Sequence, residues 1–189
     1  MEQCVPISKR TICIADIFGT TPAFERLCQA IGGAVEVVDP YSGLQRKFAS
    51  EQEAYACFMT EVGLDRYSEM VRDQIAAAQD SACLVGFSVG AAVAWSLTGA
   101  SLADQVSCGV CFYGSQIRHM LDIQPVVPVT CILPTSEPAF CVQTLARALS
   151  GRNNVSVETT PYLHGFMNEV SANYDRQGCA VYLEWLQRM

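Results

Sequence analysis

Ala82-Cys83-Leu84-Val85-Gly86-Phe87-Ser88-Val89-Gly90-Ala91-Ala92-Val93-Ala94 is the stretch of this 189-residue chain from which the rest can be read. Residues 82–87 are apolar or small at every position. A strand with no polar face is buried on both sides, and such strands belong to parallel sheets covered by helices. From Val89 onward the residues are again small and apolar, which suits a helix packed close against the sheet. Strand, tight turn and helix therefore follow one another within thirteen residues. Working outward, segments rich in Val, Ile and Cys at 11–17, 34–38, 106–113, 127–133 and 155–159 read as further strands. Between them, helices are expected at 22–31, 51–60, 65–78, 89–97, 140–149 and 177–187. Repeated alternation of this kind predicts a mainly parallel, doubly wound α/β sheet with helices on both faces, spanning residues 1–189 as a single domain.

Composition narrows the function classes. Apolar residues make up 50% of the chain and charged residues 16%, which excludes intrinsic disorder. Twelve Lys and Arg against nineteen Asp and Glu leave a net charge of −7. An acidic surface repels phosphate backbones and anionic headgroups, so neither nucleic acid nor a membrane surface is an expected partner. No apolar run reaches the ~18 residues of a membrane span. The start, Met1-Glu2-Gln3-Cys4-Val5-Pro6, lacks the basic and apolar regions of a signal peptide. Ten cysteines fall below the ~8–10% of a secreted disulfide scaffold. Cys13, Cys83 and Cys131 lie in apolar runs, as free core thiols do in a reducing compartment, so the chain is expected to be cytoplasmic. Cys108 and Cys111 form a CxxC pair, but inside a strand these positions point to opposite faces and neither a redox nor a metal site is expected.

Gly86-Phe87-Ser88-Val89-Gly90 is a Gly-x-Ser-x-Gly turn between a strand and a helix, the context of a nucleophile elbow. The serine sits on a strained turn, the glycines let the helix pass close to the strand, and the helix N-terminus aims N–H groups at a developing oxyanion. A serine nucleophile needs a base and an orienting acid. Of the two histidines, His164 follows the last strand and suits the base, while His119 reads as a surface residue. Glu137 is the sole carboxylate between Asp122 and Glu158 and follows the strand at 127–133, so it is the acid by elimination.

With these residues in hand, the chain resembles the dienelactone hydrolase family of the α/β-hydrolase fold over nearly its whole length. The resemblance rests on Ala15-Asp16-Ile17-Phe18-Gly19, Glu53-Ala54-Tyr55, the elbow itself, Phe112-Tyr113-Gly114, Ser136-Glu137-Pro138 and His164-Gly165-Phe166. It implies an α/β-hydrolase fold without a large lid, an oxyanion hole from the backbone N–H groups of Ile17 and Val89, and substrate contacts from Asp16, Phe18, Tyr55, Phe166 and Asn168. Three features depart from the family pattern. Ser88 replaces the cysteine nucleophile, Glu137 stands where Asp is usual, and Asn168 and Glu51 occupy the neighbourhoods of the family's carboxylate-holding arginines. The expected activity is a cofactor-free and metal-free serine hydrolase of a small-molecule ester or lactone, as a monomer or homodimer. Two other readings compete with it: a catalytically silent binding protein of the same fold, and a flavodoxin-like nucleotide binder using the glycine turn for phosphate.

Overall fold

The structure is a computed structural model and describes residues 10–189. The N-terminal segment read above as lacking a signal peptide lies outside the described residues. Six strands form one all-parallel sheet in the order β2-β1-β3-β4-β5-β6: β1 Arg10–Ile14, β2 Ala34–Val38, β3 Ala82–Phe87, β4 Val106–Phe112, β5 Val129–Leu133 and β6 Val155–Thr159. Six α-helices accompany them: α1 Pro22–Ile31, α2 Glu51–Glu61, α3 Gly63–Ala76, α4 Val89–Ser96, α5 Val142–Leu149 and, after the last strand, α6 Arg176–Gln187. This is the α/β-hydrolase fold, and no described helix is long and apolar enough to cross a membrane.

Local chemistry sets the helix starts. Thr21 accepts a hydrogen bond from the Phe24 N–H ahead of Pro22 in the first turn of α1. Ser50 accepts from Glu53 N–H, and the Glu53 carboxylate reaches back to Ala49 N–H, which fixes α2. Asp175 caps α6 through Gly178 N–H. Alternate residues of the central strands feed two apolar layers. Ile12, Ile14 and Leu84 pack with Phe58, Tyr67 and Val71 of α2 and α3, whereas Cys13, Val85, Phe87 and Val110 pack with α1 and α6. Tyr67 is fully buried, and its hydroxyl donates to the carbonyls of Ala15 and Val38 at 2.9 Å, pinning the ends of β1 and β2 next to the turn that follows.

Several boundaries differ from the sequence expectation, each for a local reason. β1 ends at Ile14 rather than residue 17, because the Asp16 side chain accepts from Phe18 N–H and turns the chain away from the sheet. β4 stops before Tyr113, which has a φ of +41°. β5 starts after Pro128, which has no N–H to give a neighbouring strand. The helix expected from residue 140 starts at Val142, since Glu137 and Phe140 form an isolated antiparallel bridge.

Cys108 and Cys111 do face opposite layers. The reading of Cys83 and Cys108 as free thiols is corrected. They are register partners on β3 and β4, 4.8 Å apart at Cα, so their side chains leave the same face, and they form a disulfide. Sequence separation hides such a pair, and only strand order reveals it.

Candidate active site

Ser88 stands at the sharp turn between β3 and α4 with φ +54° and ψ −113°, a region that costs a non-glycine residue roughly 1–3 kcal/mol. The surroundings over-determine it. Its N–H donates to the Phe112 carbonyl at 3.0 Å, and its carbonyl accepts from the Ala91 and Ala92 N–H groups. The two glycines are required sterically. A Cβ on Gly86 would lie 2.3 Å from the Gly90 carbonyl oxygen, and one on Gly90 would lie 2.3 Å from that of Ile14. The elbow exists because α4 crosses both β3 and the end of β1 at backbone contact.

Ser88 Oγ lies 2.9 Å from His164 Nε2, and His164 Nδ1 lies 2.6 Å from Glu137 Oε1. His164 reaches this position from the loop after β6. That loop is shaped by Asn173 Nδ2, which donates to the His164 carbonyl at 2.9 Å, and by Gly165, whose φ of +85° brings its backbone against Ser171. The Tyr113 ring packs beside the imidazole with centroids 5.1 Å apart. Glu137 follows β5, and its side chain is only 8% exposed, so the carboxylate and imidazole interact largely shielded from water. His119 sits exposed at the end of the 3₁₀ helix Ser115–His119, away from this row.

Asp16-Ile17-Phe18 forms the opposite wall. The Asp16 carboxylate is buried, with Oδ1 accepting from Phe18 N–H at 3.0 Å and Oδ2 from Asn168 Nδ2 at 2.6 Å. Burial pushes its pKa up. The two donors and His164 oppose that shift, and Glu51 adds to it. The Ile17 carbonyl accepts from the Tyr41 hydroxyl at 2.8 Å, and the Asp16 carbonyl, on the same peptide as the Ile17 N–H, accepts from Gly19 N–H at 3.1 Å. The Val89 N–H belongs to the first turn of α4 and has no acceptor within its own helix.

Asp16, Ile17, Phe18, Glu51, Ser88, Tyr113, His164, Gly165 and Ser171 line a narrow cavity over the serine. About 40 Å³ of it is open to the centre of a water molecule, which is room for roughly three waters. Larger open grooves beside α1 and β2 share none of these residues. Of the expected substrate contacts, Asp16 and Phe18 reach the cavity. Tyr55 does not: it is exposed on α2, with its hydroxyl 3.5 Å from Gln116. Phe166 does not either, since it is fully buried among Phe112, Tyr162 and Tyr182. Asn168 acts from behind the cavity, holding Asp16. Tyr113, which follows β4, and Gly165 and Ser171 also line the cavity; the last two lie on the loop after His164, which has no periodic pattern to place it. The Tyr113 hydroxyl is the one buried side-chain polar atom with no hydrogen-bond partner among the described residues. The Met167 backbone N–H lies near its oxygen.

The Asp16–Asn168 pair has a measurable consequence. Removing a hydrogen-bond donor from a buried carboxylate costs about 1–3 kcal/mol. Asn168 favours the ionised form of Asp16, whose pKa is nonetheless raised. The cost of Asn168→Ala is therefore largest where Asp16 is ionised and shrinks as pH falls through its elevated pKa. Thermal melts of parent and variant from neutral to acid pH should converge; a constant gap would contradict the assignment.

A comparison with protein-family models finds no match. The uncharacterized protein YczH of Bacillus subtilis (strain 168) is 39% identical over 95 residues, which span 49% of this chain and 46% of YczH, so the match covers about half of that relative. Solved structures are similar over far more of the chain. A Klebsiella pneumoniae protein assigned as a dienelactone hydrolase has a TM-score of 0.73 at 15% identity, covering 100% of this chain and 90% of that one. A dienelactone hydrolase-like promiscuous phosphotriesterase from metagenomic libraries gives 0.66 at 15% identity, covering 93% and 84%. A cold-adapted esterase from an Arctic intertidal metagenomic library gives 0.64 at 12% identity, covering 96% and 84%. The chain has the fold of dienelactone hydrolases and related α/β hydrolases.

Proposed function

We propose that the protein is a serine hydrolase of the dienelactone hydrolase family, cleaving a carboxylic ester or related acyl bond of a small molecule through an acyl-enzyme. The observation that carries this reading is the row Ser88 Oγ–His164 Nε2–Glu137 Oε1, at 2.9 and 2.6 Å. In it, His164 Nε2 takes the Ser88 proton as Oγ attacks the carbonyl, and later gives it to the departing alkoxide. Glu137 accepts from Nδ1–H, fixes the tautomer that leaves Nε2 free as an acceptor, and stabilises the imidazolium. The N–H groups of Ile17 and Val89 face the oxyanion, each worth roughly 3–4 kcal/mol when well aimed. Water then attacks the acyl-enzyme by the same proton path. The cavity favours short acyl groups, so a series of p-nitrophenyl esters should show kcat/KM falling steeply beyond about four carbons. Absence of turnover on every chain length would favour the binding-protein reading instead.

A serine nucleophile also predicts how the thiols behave. Cys141 is exposed at the start of α5, and the Thr144 hydroxyl, followed by backbone N–H groups, holds its pKa below the usual thiol range. It should be the first cysteine alkylated by iodoacetamide near neutral pH. It does not line the cavity over Ser88, so the modified protein should keep most of its esterase activity. Peptide mapping alongside residual activity checks this. Loss of activity in step with alkylation at any one cysteine would point to a thiol mechanism.

A further inference from the structure

The wall of the cavity carries an unusual charge distribution for a site that stabilises an oxyanion. Two carboxylates line it, Asp16 and Glu51, and no lysine or arginine does among the described residues. Asp16 is committed on both oxygens, to Phe18 N–H and to Asn168. Glu51 is not. It is the first residue of α2, exposed, with Oε1 accepting from the buried Ser171 hydroxyl at 2.8 Å and no contact at Oε2. Ser171 in turn accepts from Asn173 N–H, so the Glu51 side chain is held over the cavity by the same loop that carries His164. Glu51 thus brings a carboxylate oxygen without a hydrogen-bond partner to a narrow cavity whose lining holds no lysine or arginine among the described residues.

We propose that Glu51 is a specificity-determining residue and that the ester cleaved carries a protonated amine on a short acyl chain. This rests on the serine-hydrolase reading above. The ammonium is a spectator: it donates to Glu51 Oε2 while Ser88 Oγ displaces the alcohol from the acyl carbon. Water then releases the amino acid and restores the Ser88 hydroxyl. Binding strength comes from a charge-assisted hydrogen bond in a partly shielded cavity, the strong form of such contacts. The overall charge of −7 adds attraction for a cationic substrate at long range.

The test uses three ethyl esters of nearly equal size: ethyl 3-aminopropanoate, ethyl butanoate and monoethyl malonate, bearing a positive, no and a negative charge. The amine ester should lead ethyl butanoate in kcat/KM by roughly ten- to hundredfold, with the malonate slowest, and the lead should shrink with added salt. Glu51→Gln keeps an acceptor for Ser171 but removes the charge, and should lower the amine-to-butanoate ratio by most of that factor. Glu51→Lys should move the preference toward the malonate. An amine ester no better than butanoate, or a preference that survives both substitutions, overturns the proposal and leaves the hydrolase reading standing. Failure on all three esters while Ser88 still reacts with a fluorophosphonate also overturns the proposal alone. Failure on all three with an unreactive Ser88 removes the hydrolase reading and the proposal together.

Discussion

Ser88→Ala should lower kcat/KM on a p-nitrophenyl ester by about 10⁴–10⁶ while leaving the melting temperature close to that of the parent. The hydroxyl is the sole group at the elbow that can form the acyl-enzyme, and alanine fills nearly the same volume. The strained φ of +54° belongs to the backbone and persists in alanine, so the fold is not relieved or broken by the exchange. His164→Ala should cost about as much, and the double variant little more, because groups that act as one unit are non-additive. Glu137→Gln should fall short of this, at roughly 10²–10⁴, since the amide still contacts Nδ1 but neither enforces the tautomer nor balances the imidazolium charge. Additive losses for Ser88 and His164, measured by steady-state kinetics with circular dichroism as a fold control, would mean that the two do not share a proton. Wild-type behaviour of Glu137→Gln would remove the carboxylate from the row.

Gly90→Ala should be among the most damaging additions of a single methyl group in the described chain. Its Cβ would meet the carbonyl oxygens of Ile14 and Ala15 at 2.3 and 2.5 Å, backbone atoms at the end of β1 and just beyond it, where no side chain can swing aside. Either α4 lifts from the sheet or β1 shifts, and each movement displaces Ser88 and Ile17 relative to one another. Overpacking of this kind costs about 3 kcal/mol, sometimes more, or roughly 6–12 °C in Tm for a chain of this length. Activity should fall further than stability alone requires, because a displacement of about 1 Å in a catalytic group can cost 10²-fold. A variant with parental Tm and parental kcat/KM would contradict the close approach. Gly99→Ala serves as the comparison, since a Cβ there meets nothing within 4 Å.

What the sequence reveals and what it conceals divide along physical lines. The parallel sheet is legible because strands such as Ala82–Phe87 are apolar on both faces, and only burial between helix layers accommodates that. The elbow is legible because steric necessity writes glycine at 86 and 90. His164 and Glu137 are legible through scarcity, there being so few histidines and carboxylates in the loops after β5 and β6. The walls of the cavity are not. Tyr55 reads as a substrate contact but points out from α2, and Phe166 reads as one but is turned into the aromatic layer by the Gly165 turn. Ser171 reaches the cavity through a loop whose path depends on Asn168 Oδ1 accepting from Val170 N–H and Asn173 Nδ2 donating to the His164 carbonyl, which leave no periodic trace. The Cys83–Cys108 pairing likewise depends on strand order rather than on spacing.

The most direct test of the central claim is intact-protein mass spectrometry after exposure to a fluorophosphonate, with peptide mapping of the adduct. An activated serine should take up one equivalent at Ser88 within minutes, His164→Ala should slow the reaction by about 10³ or more, and Ser88→Ala should take up none. Labelling that is absent in the parent, that maps to another residue, or that is unaffected by His164→Ala would contradict the assignment of Ser88 as a nucleophile activated by His164.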